Sequence, residues 1–300
     1  GIHPLTTTRT HPGTSPRLSR VAAGFRIVAD TAAFRLSKRE GGNLATSTTL
    51  ALALALPIGD VAYRLVFGIV LNLFVYLLND CIDVRIDLAA SGRDVGRTRY
   101  LHEHIRVGWA VVFVLGALLA ILGAAHSAGL LVAFVANAIL IVLYSRWLKR
   151  LPVVDILAMA GWGVAMAMVG FPVDSLAGWR FAGLLGILCA VTEVIQIVRD
   201  ASSDRRAGLR TTAVVLGVGP TVWLARGLIL AAAGYTFLML DSIVAAALLP
   251  ALILPLDESK AVRTWDRLRI IFGIVWLVLL ICFRFDFGPG GWLMTQIHLP

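Results

Sequence analysis

The sequence predicts an all-α integral membrane protein of about nine transmembrane helices, with its N-terminus in the cytoplasm. Three observations carry that expectation. Of the 300 residues, 58% are hydrophobic and only 15% charged, where a soluble domain has about a quarter charged. Apolar runs near the roughly 17–25 residues that cross a bilayer recur along the whole length. Lysine and arginine are gathered into alternate loops, as the positive-inside rule requires.

Residues 1–24, rich in Thr, Ser, Pro, Arg and His, read as a flexible tail with little to bury. Residues 25–300 read as one transmembrane domain. Within it, 25–40 fits an amphipathic helix lying in the membrane interface. Hydropathy windows place spans near 43–58, 63–80, 107–125, 128–147, 153–171, 179–198, 213–236, 239–255 and 268–285. With the N-terminus inside, the tail and the loops after the second, fourth, sixth and eighth spans are cytoplasmic. Those segments hold 23 of the 27 Lys and Arg residues. The outside segments hold only Arg64, Arg180 and Arg284, and Arg226 falls within a span. The formal charge of +9 is therefore a matter of topology, and no nucleic-acid partner is expected. Cys81, Cys189 and Cys282 lie far apart in or beside apolar segments and read as small core residues, not as a disulfide or metal motif.

Against this apolar background two acidic clusters stand out. Asn79-Asp80-Cys81-Ile82-Asp83-Val84-Arg85-Ile86-Asp87 follows one apolar run, and Asp200-Ala201-Ser202-Ser203-Asp204 follows another. Ionised carboxylates at the edge of a hydrocarbon layer are costly unless a cation or donor satisfies them, so they mark a functional site by default. Helical residues three or four apart share a face. Asn79, Asp83 and Asp87 are spaced i, i+4, i+8, Asp80 reaches Asp83, and Asn72 and Tyr76 extend the polar stripe back into the span. Asp200 and Asp204 repeat the i, i+4 spacing, with Gln196 one turn earlier. Rows of carboxylate and amide oxygens suit a hard divalent cation, and Mg²⁺ is commonly held by a few carboxylates plus substrate phosphates. Arginines nearby would complement a phosphate in bidentate fashion.

The pattern Asn79-Asp80-x-x-Asp83-x-x-x-Asp87 resembles the first aspartate-rich motif of the UbiA superfamily of intramembrane prenyltransferases. Asp200-x-x-x-Asp204-Arg205-x-x-Gly208-x-x-Thr211 resembles the second. Tyr144-Ser145-x-x-Leu148-Lys149-Arg150 is similar to the tyrosine–lysine motif at the end of the family's fourth helix, and Asn43 matches an asparagine that the family places at the first. The resemblance implies a UbiA-like bundle and a mechanism. Asn79, Asp80, Asp83, Asp87, Asp200 and Asp204 would hold Mg²⁺ bridging the diphosphate of an isoprenyl diphosphate. Asp80, Asp83, Asp200, Lys149 and Tyr144 would form the catalytic set. Asn43, Asn72, Gln196, Arg93, Arg99 and Arg205 would contact substrate. Ionisation would yield an allylic cation in an apolar tunnel, attacked by a hydrophobic, membrane-associated acceptor.

The sequence departs from that pattern in places. Glu40-Gly41-Gly42 stands ahead of Asn43 where the family usually has Arg-Pro. The signature after Asp87 is replaced by a longer loop, Leu88-Ala89-Ala90-Ser91-Gly92-Arg93-Asp94, with Arg99-Tyr100 further on. Arg99 or Arg93 is the expected phosphate contact there. The changed loop keeps a UbiA-type terpene cyclase in play as an alternative; a phosphoribosyl-transferring relative and a cation transporter fit less well. Blander readings attach to several residues. The acids could pair with Arg85 or Arg205 in a solvated loop, Tyr144 could be an interfacial anchor, and Asp155 either lines the site or, the favoured reading, caps its own helix. Glu193, inside the sixth span, is either a buried partner for an arginine or a group lining the cavity.

Overall fold

The computed structural model describes residues 16–38, 40–89, 95–240 and 242–286, which are helical with no strand among them. Eleven α-helices follow in order: α1 (Pro16–Ser37), α2 (Gly42–Ala53), α3 (Ile58–Ala89), α4 (Val95–Glu103), α5 (Ile105–His126), α6 (Ala128–Arg146), α7 (Val154–Ala167), α8 (Leu176–Arg206), α9 (Thr212–Leu216), α10 (Val218–Met239) and α11 (Ala261–Phe285). Tight 3-10 turns cover Leu148–Arg150 and Met168–Gly170, and a longer one runs over Ile243–Ile253.

Six helices, α3, α5, α6, α8, α10 and α11, are long and apolar enough to cross a membrane. The three remaining predicted spans are helical but shorter. The 12 residues of α2 rise about 18 Å. The chain then leaves the helix through Ala55 at φ 55° and meets Pro57, which disfavours helix in the residue before it. Val154–Gly170 is confined between Pro152 and Pro172. The Ile243–Ile253 segment contains Pro250, which removes a backbone donor.

The N-terminal helix is longer than predicted and takes in residues 16–24 of the segment read as a tail; residues 1–15 lie outside the described residues. α1 begins at Pro16, since proline's fixed φ and missing N–H suit the first helical position. Ala23, Ile27 and Thr31, spaced by four, are buried, and the helix packs on α3 and α5. Phe25 and Leu36 remain exposed, as on a helix with one face free. A further difference is α4, a helix where the sequence suggested only a loop.

α8 is the central element, with 72% of its most apolar stretch buried, and it packs on α7, α10 and α11. Its crossing with α7 is close because of two glycines. A Cβ on Gly163 would strike Cys189 and the Leu185 carbonyl, and one on Gly186 would strike Val164 and the Ala160 carbonyl. Small residues let membrane helices approach backbone to backbone. At the opposite end from the acidic motifs, Ser127 and Ser175 cap α6 and α8, accepting from Leu130 N and Gly178 N. Arg64 is buried there too. It bonds Asp60 at 2.9 Å and donates to the carbonyls of Val169 and Phe171 at 3.1 and 3.2 Å. It is thus a brace for the end of the α7 segment and not a loop charge.

Candidate active site

α3, α6 and α8 bring their C-terminal ends together at one end of the bundle. α3 supplies Asn79, Asp80, Asp83 and Asp87, and α8 supplies Glu193, Gln196, Asp200 and Asp204. α6 and the turn after it tie the two together. Ser145 Oγ donates to Asn79 Oδ1 at 2.7 Å. Lys149 Nζ donates to Asp83 Oδ1 at 2.6 Å. Tyr144 OH donates to Glu193 Oε1 at 2.7 Å, so Tyr144 faces inward and Glu193 finds a phenol in place of an arginine. Lys149 also acts through space on Asp87 and Asp204. Its ammonium is thus bonded to the first motif, while Tyr144 ties the same end of α6 to the helix that carries the second.

Asp80 is held differently from its neighbours. It is 4% exposed, and each oxygen takes a guanidinium: Arg35 of α1 at 2.7 Å and Arg97 of α4 at 2.6 Å. Arg35 lies over the Tyr76 ring and Arg97 over the Phe34 ring, at 4.3 and 4.2 Å, where the π-faces attract the cations. Arg35 also bonds Glu40 at 2.8 Å. Burial works against its charge, but the facing carboxylates of Asp80 and Glu40 outweigh that and hold its pKa above the ordinary arginine value. Neither arginine was singled out from the sequence. They lie 45 and 17 residues from Asp80, and nothing local separates them from other positive-inside charges. Helix geometry explains why Arg97 is chosen over Arg99: residues two apart point to different sides, and Arg99 is exposed.

The other expected site residues fall as follows. Asp87 is exposed and makes no hydrogen bond or ion pair among the described residues. Asp200 receives Arg199, its chain neighbour, at 2.8 and 2.6 Å, and Asp204 accepts from Thr211 Oγ1 at 3.1 Å. Gln196 is half-buried on α8, one turn before Asp200. Asn72 donates to Gly68 O within its own helix at 2.8 Å. Asn43 is half-buried at the start of α2. Arg205 is exposed, and neither it nor Arg85 pairs with the acids among the described residues. Arg93 lies outside the described residues.

Asp155 is a cap, though chiefly for another helix. It is 1% exposed and accepts Ile156 N of its own helix at 2.9 Å. It also accepts Thr212 N at 2.9 Å and Thr212 Oγ1 at 2.6 Å, holding the first residue of α9. Val153, at φ 69°, donates its N–H to the same Thr212 hydroxyl at 2.7 Å. This brace positions Thr211 beside Asp204.

The donors at this end are oxygens, the set a hard cation prefers. Among the described residues no three His, Cys, Asp or Glu side chains already stand as a metal cluster. Asp80 is buried between two guanidinium groups, whereas Asn79, Asp83, Asp87 and Asp204 present oxygens with lone pairs to spare and Asp200 is held only by its half-exposed pair with Arg199. Those five fit Mg²⁺.

A model of the UbiA prenyltransferase family matches residues 42–271. Comparison with curated proteins gives no significant match. Among solved structures, a UbiA homologue from Archaeoglobus fulgidus bound to GPP and Mg²⁺ superposes with a TM-score of 0.60 at 17% identity, covering 88% of this chain and 98% of the homologue. The same homologue bound to DMAPP and Mg²⁺ gives 0.60 at 18% identity over the same shares. A digeranylgeranylglyceryl phosphate synthase structure gives 0.59 at 14% identity, over 89% of this chain and 99% of that one. The fold is common to all three, and with most of its length matched by the family model this integral membrane protein belongs to the UbiA prenyltransferase family.

Proposed function

We propose that the chain is a Mg²⁺-dependent prenyltransferase that moves an isoprenyl group from an isoprenyl diphosphate to a hydrophobic, membrane-associated acceptor. The observation that carries the reading is that the end of α6 ties both motif helices together, Lys149 to Asp83 of α3 and Tyr144 to Glu193 of α8. Solved relatives in complex with GPP or DMAPP and Mg²⁺ support the donor class. In this reading the three shorter apolar helices complete a set of nine spans, and the N-terminus and active site face the cytoplasm, which the lysine and arginine distribution favours.

Asn79, Asp83 and Asp87 from α3, with Asp200 and Asp204 from α8, hold the metal. When bound, Mg²⁺ supplies Lewis-acid stabilisation of the departing diphosphate. The allylic C1–O bond breaks with its electron pair leaving on the diphosphate, and the acceptor bonds to C1 and loses a proton. Lys149 neutralises charge as it develops, from a fixed position and without reorganisation. Arg97 and Arg35, anchored by Asp80, add positive charge beside it. Tyr144 and Ser145 keep the motif helices at fixed spacing, and the apolar bundle excludes water from the cation.

The test is diphosphate release from a labelled isoprenyl diphosphate by protein in nanodiscs. Activity should require Mg²⁺ and disappear in Asp83→Ala and Asp204→Ala. Turnover surviving both substitutions would refute the mechanism. A cyclic hydrocarbon formed without any acceptor would make the chain a cyclase instead.

A further inference from the structure

A cavity of about 310 Å³ adjoins the acidic end, lined by Cys81, Ile82, Ile86, Trp109, Arg146 and Arg150, and by Asp83 and Ser145 of the site itself. Ile82 flanks Asp83 on α3 and Ile86 lies three residues beyond it, so the cavity shares a wall with the acidic site and extends from it towards Trp109 of α5. Its apolar side comes from α3 and from Trp109 of α5. Its charged side is the end of α6 and the turn that follows.

Two features define what it would hold. Arg146 and Arg150 are exposed and make no ion pair with any described residue, while Lys149, between them in sequence, is committed to Asp83. Two guanidinium groups beside one pocket make a bidentate anion site. The surroundings are apolar: Trp109 touches Phe113, which is 72% exposed on a spanning helix, and Trp147 is 55% exposed beside the arginines. Such surface belongs against lipid, with tryptophan at headgroup depth. The volume is at the low end for a small-molecule site, enough for a headgroup with its chain left in the bilayer. We propose that this cavity binds the phosphate head of an amphiphile entering laterally from the membrane, as basic pockets between membrane helices can.

The test uses the full chain in phosphatidylcholine nanodiscs with radiolabelled dodecyl phosphate as probe. Wild type should bind it at least tenfold more tightly than dodecylphosphocholine. Arg146→Gln/Arg150→Gln should lose at least tenfold in affinity, Arg146→Lys/Arg150→Lys should recover part of that, and the equal charge change Arg263→Gln/Arg267→Gln on α11 should leave binding unchanged. Thermal unfolding of each variant shows that it is folded. Equal binding by wild type and Arg146→Gln/Arg150→Gln overturns the proposal, as does equal competition by inorganic phosphate, which carries no chain. Nanodiscs containing phosphatidylglycerol separate the sources. If that lipid displaces the probe, the natural occupant is a bilayer phospholipid; if it does not, the phosphate belongs to a delivered amphiphile.

Discussion

Replacing Asp155 by Ala removes a carboxylate that no cation among the described residues neutralises by direct contact and that three N–H or O–H groups hold instead. Ile156 N keeps a second acceptor in the Val153 carbonyl, so its loss is small. Thr212 N and Thr212 Oγ1 are left without an acceptor in a buried place. At about 1–3 kcal/mol for each unsatisfied group, the cost is roughly 2–6 kcal/mol. A kilocalorie shifts the midpoint of a chain of this size by about 2–4 °C, so Asp155→Ala should melt roughly 5–20 °C below wild type. Asp155→Asn retains one acceptor oxygen and should fall about halfway. Unfolding of the detergent-solubilised protein, followed by the fluorescence of its eight tryptophans, reads both. A second effect follows from the brace between Asp155 and α9. With α9 loosened, Thr211 no longer steadies Asp204, so half-maximal activity should need more Mg²⁺. If Asp155→Ala melts within about 1 °C of wild type, the brace has been misjudged and the Mg²⁺ effect loses its basis.

Lys149→Gln should lower diphosphate release by about 10²–10³-fold, the range for removing one preorganised charge stabiliser. Lys149→Arg should restore only part of it, because a planar guanidinium does not replace a compact ammonium; full activity in Lys149→Gln would remove the residue from the mechanism. Arg64→Met strips a buried guanidinium from Asp60, which keeps His126, and from two carbonyls, and two acceptors left without that donor cost about 2–6 kcal/mol. Its unfolding midpoint should drop while the Mg²⁺ dependence of any remaining activity stays put. Gly186→Val forces side-chain atoms into Val164 and the Ala160 carbonyl, an overpacking worth about 1–3 kcal/mol; a midpoint equal to wild type would mean that the α7–α8 crossing can spread without cost.

The acidic motifs were legible because their chemistry is local: Asn79, Asp83 and Asp87 declare a shared face by spacing alone. Lys149 followed from its motif, and its bond to Asp83 gives that motif a physical content. Arg35 and Arg97 were not legible, since each reaches Asp80 from a different helix and one of those helices, α4, was not foreseen. A positive-inside count treats every arginine at this end as equivalent, whereas packing selects two of them for Asp80 and leaves Arg99 and Arg205 in solvent. Arg64 was hidden for the opposite reason. A lone arginine near a predicted span end resembles a loop charge, and only the approach of Val169 and Phe171 makes it structural. Helix existence came from hydropathy, but helix length depended on Pro57, Pro152, Pro172 and Pro250, whose local effects a window average smooths away.

Helix direction adds a reason for the site's chemistry that no single residue supplies. α3, α6 and α8 all end here, and the C-terminus of a helix carries a partial negative charge from its unpaired carbonyls. Asp87 stands in the last turn of α3 and Asp204 in the last turn of α8, where the same principle disfavours acids and favours cations. Three negative helix ends and two rows of carboxylates therefore act in one direction: they attract positive charge and repel an anionic diphosphate. Lys149 alone cannot reverse that balance, because it already serves Asp83. On the proposed function, donor binding at this end would depend on how much additional positive charge the carboxylates gather. On that same function the two acids have different uses: Asp80 fixes Arg35 and Arg97, while Asp87, with no ion pair among the described residues, would keep its oxygens for a cation that arrives with the substrate.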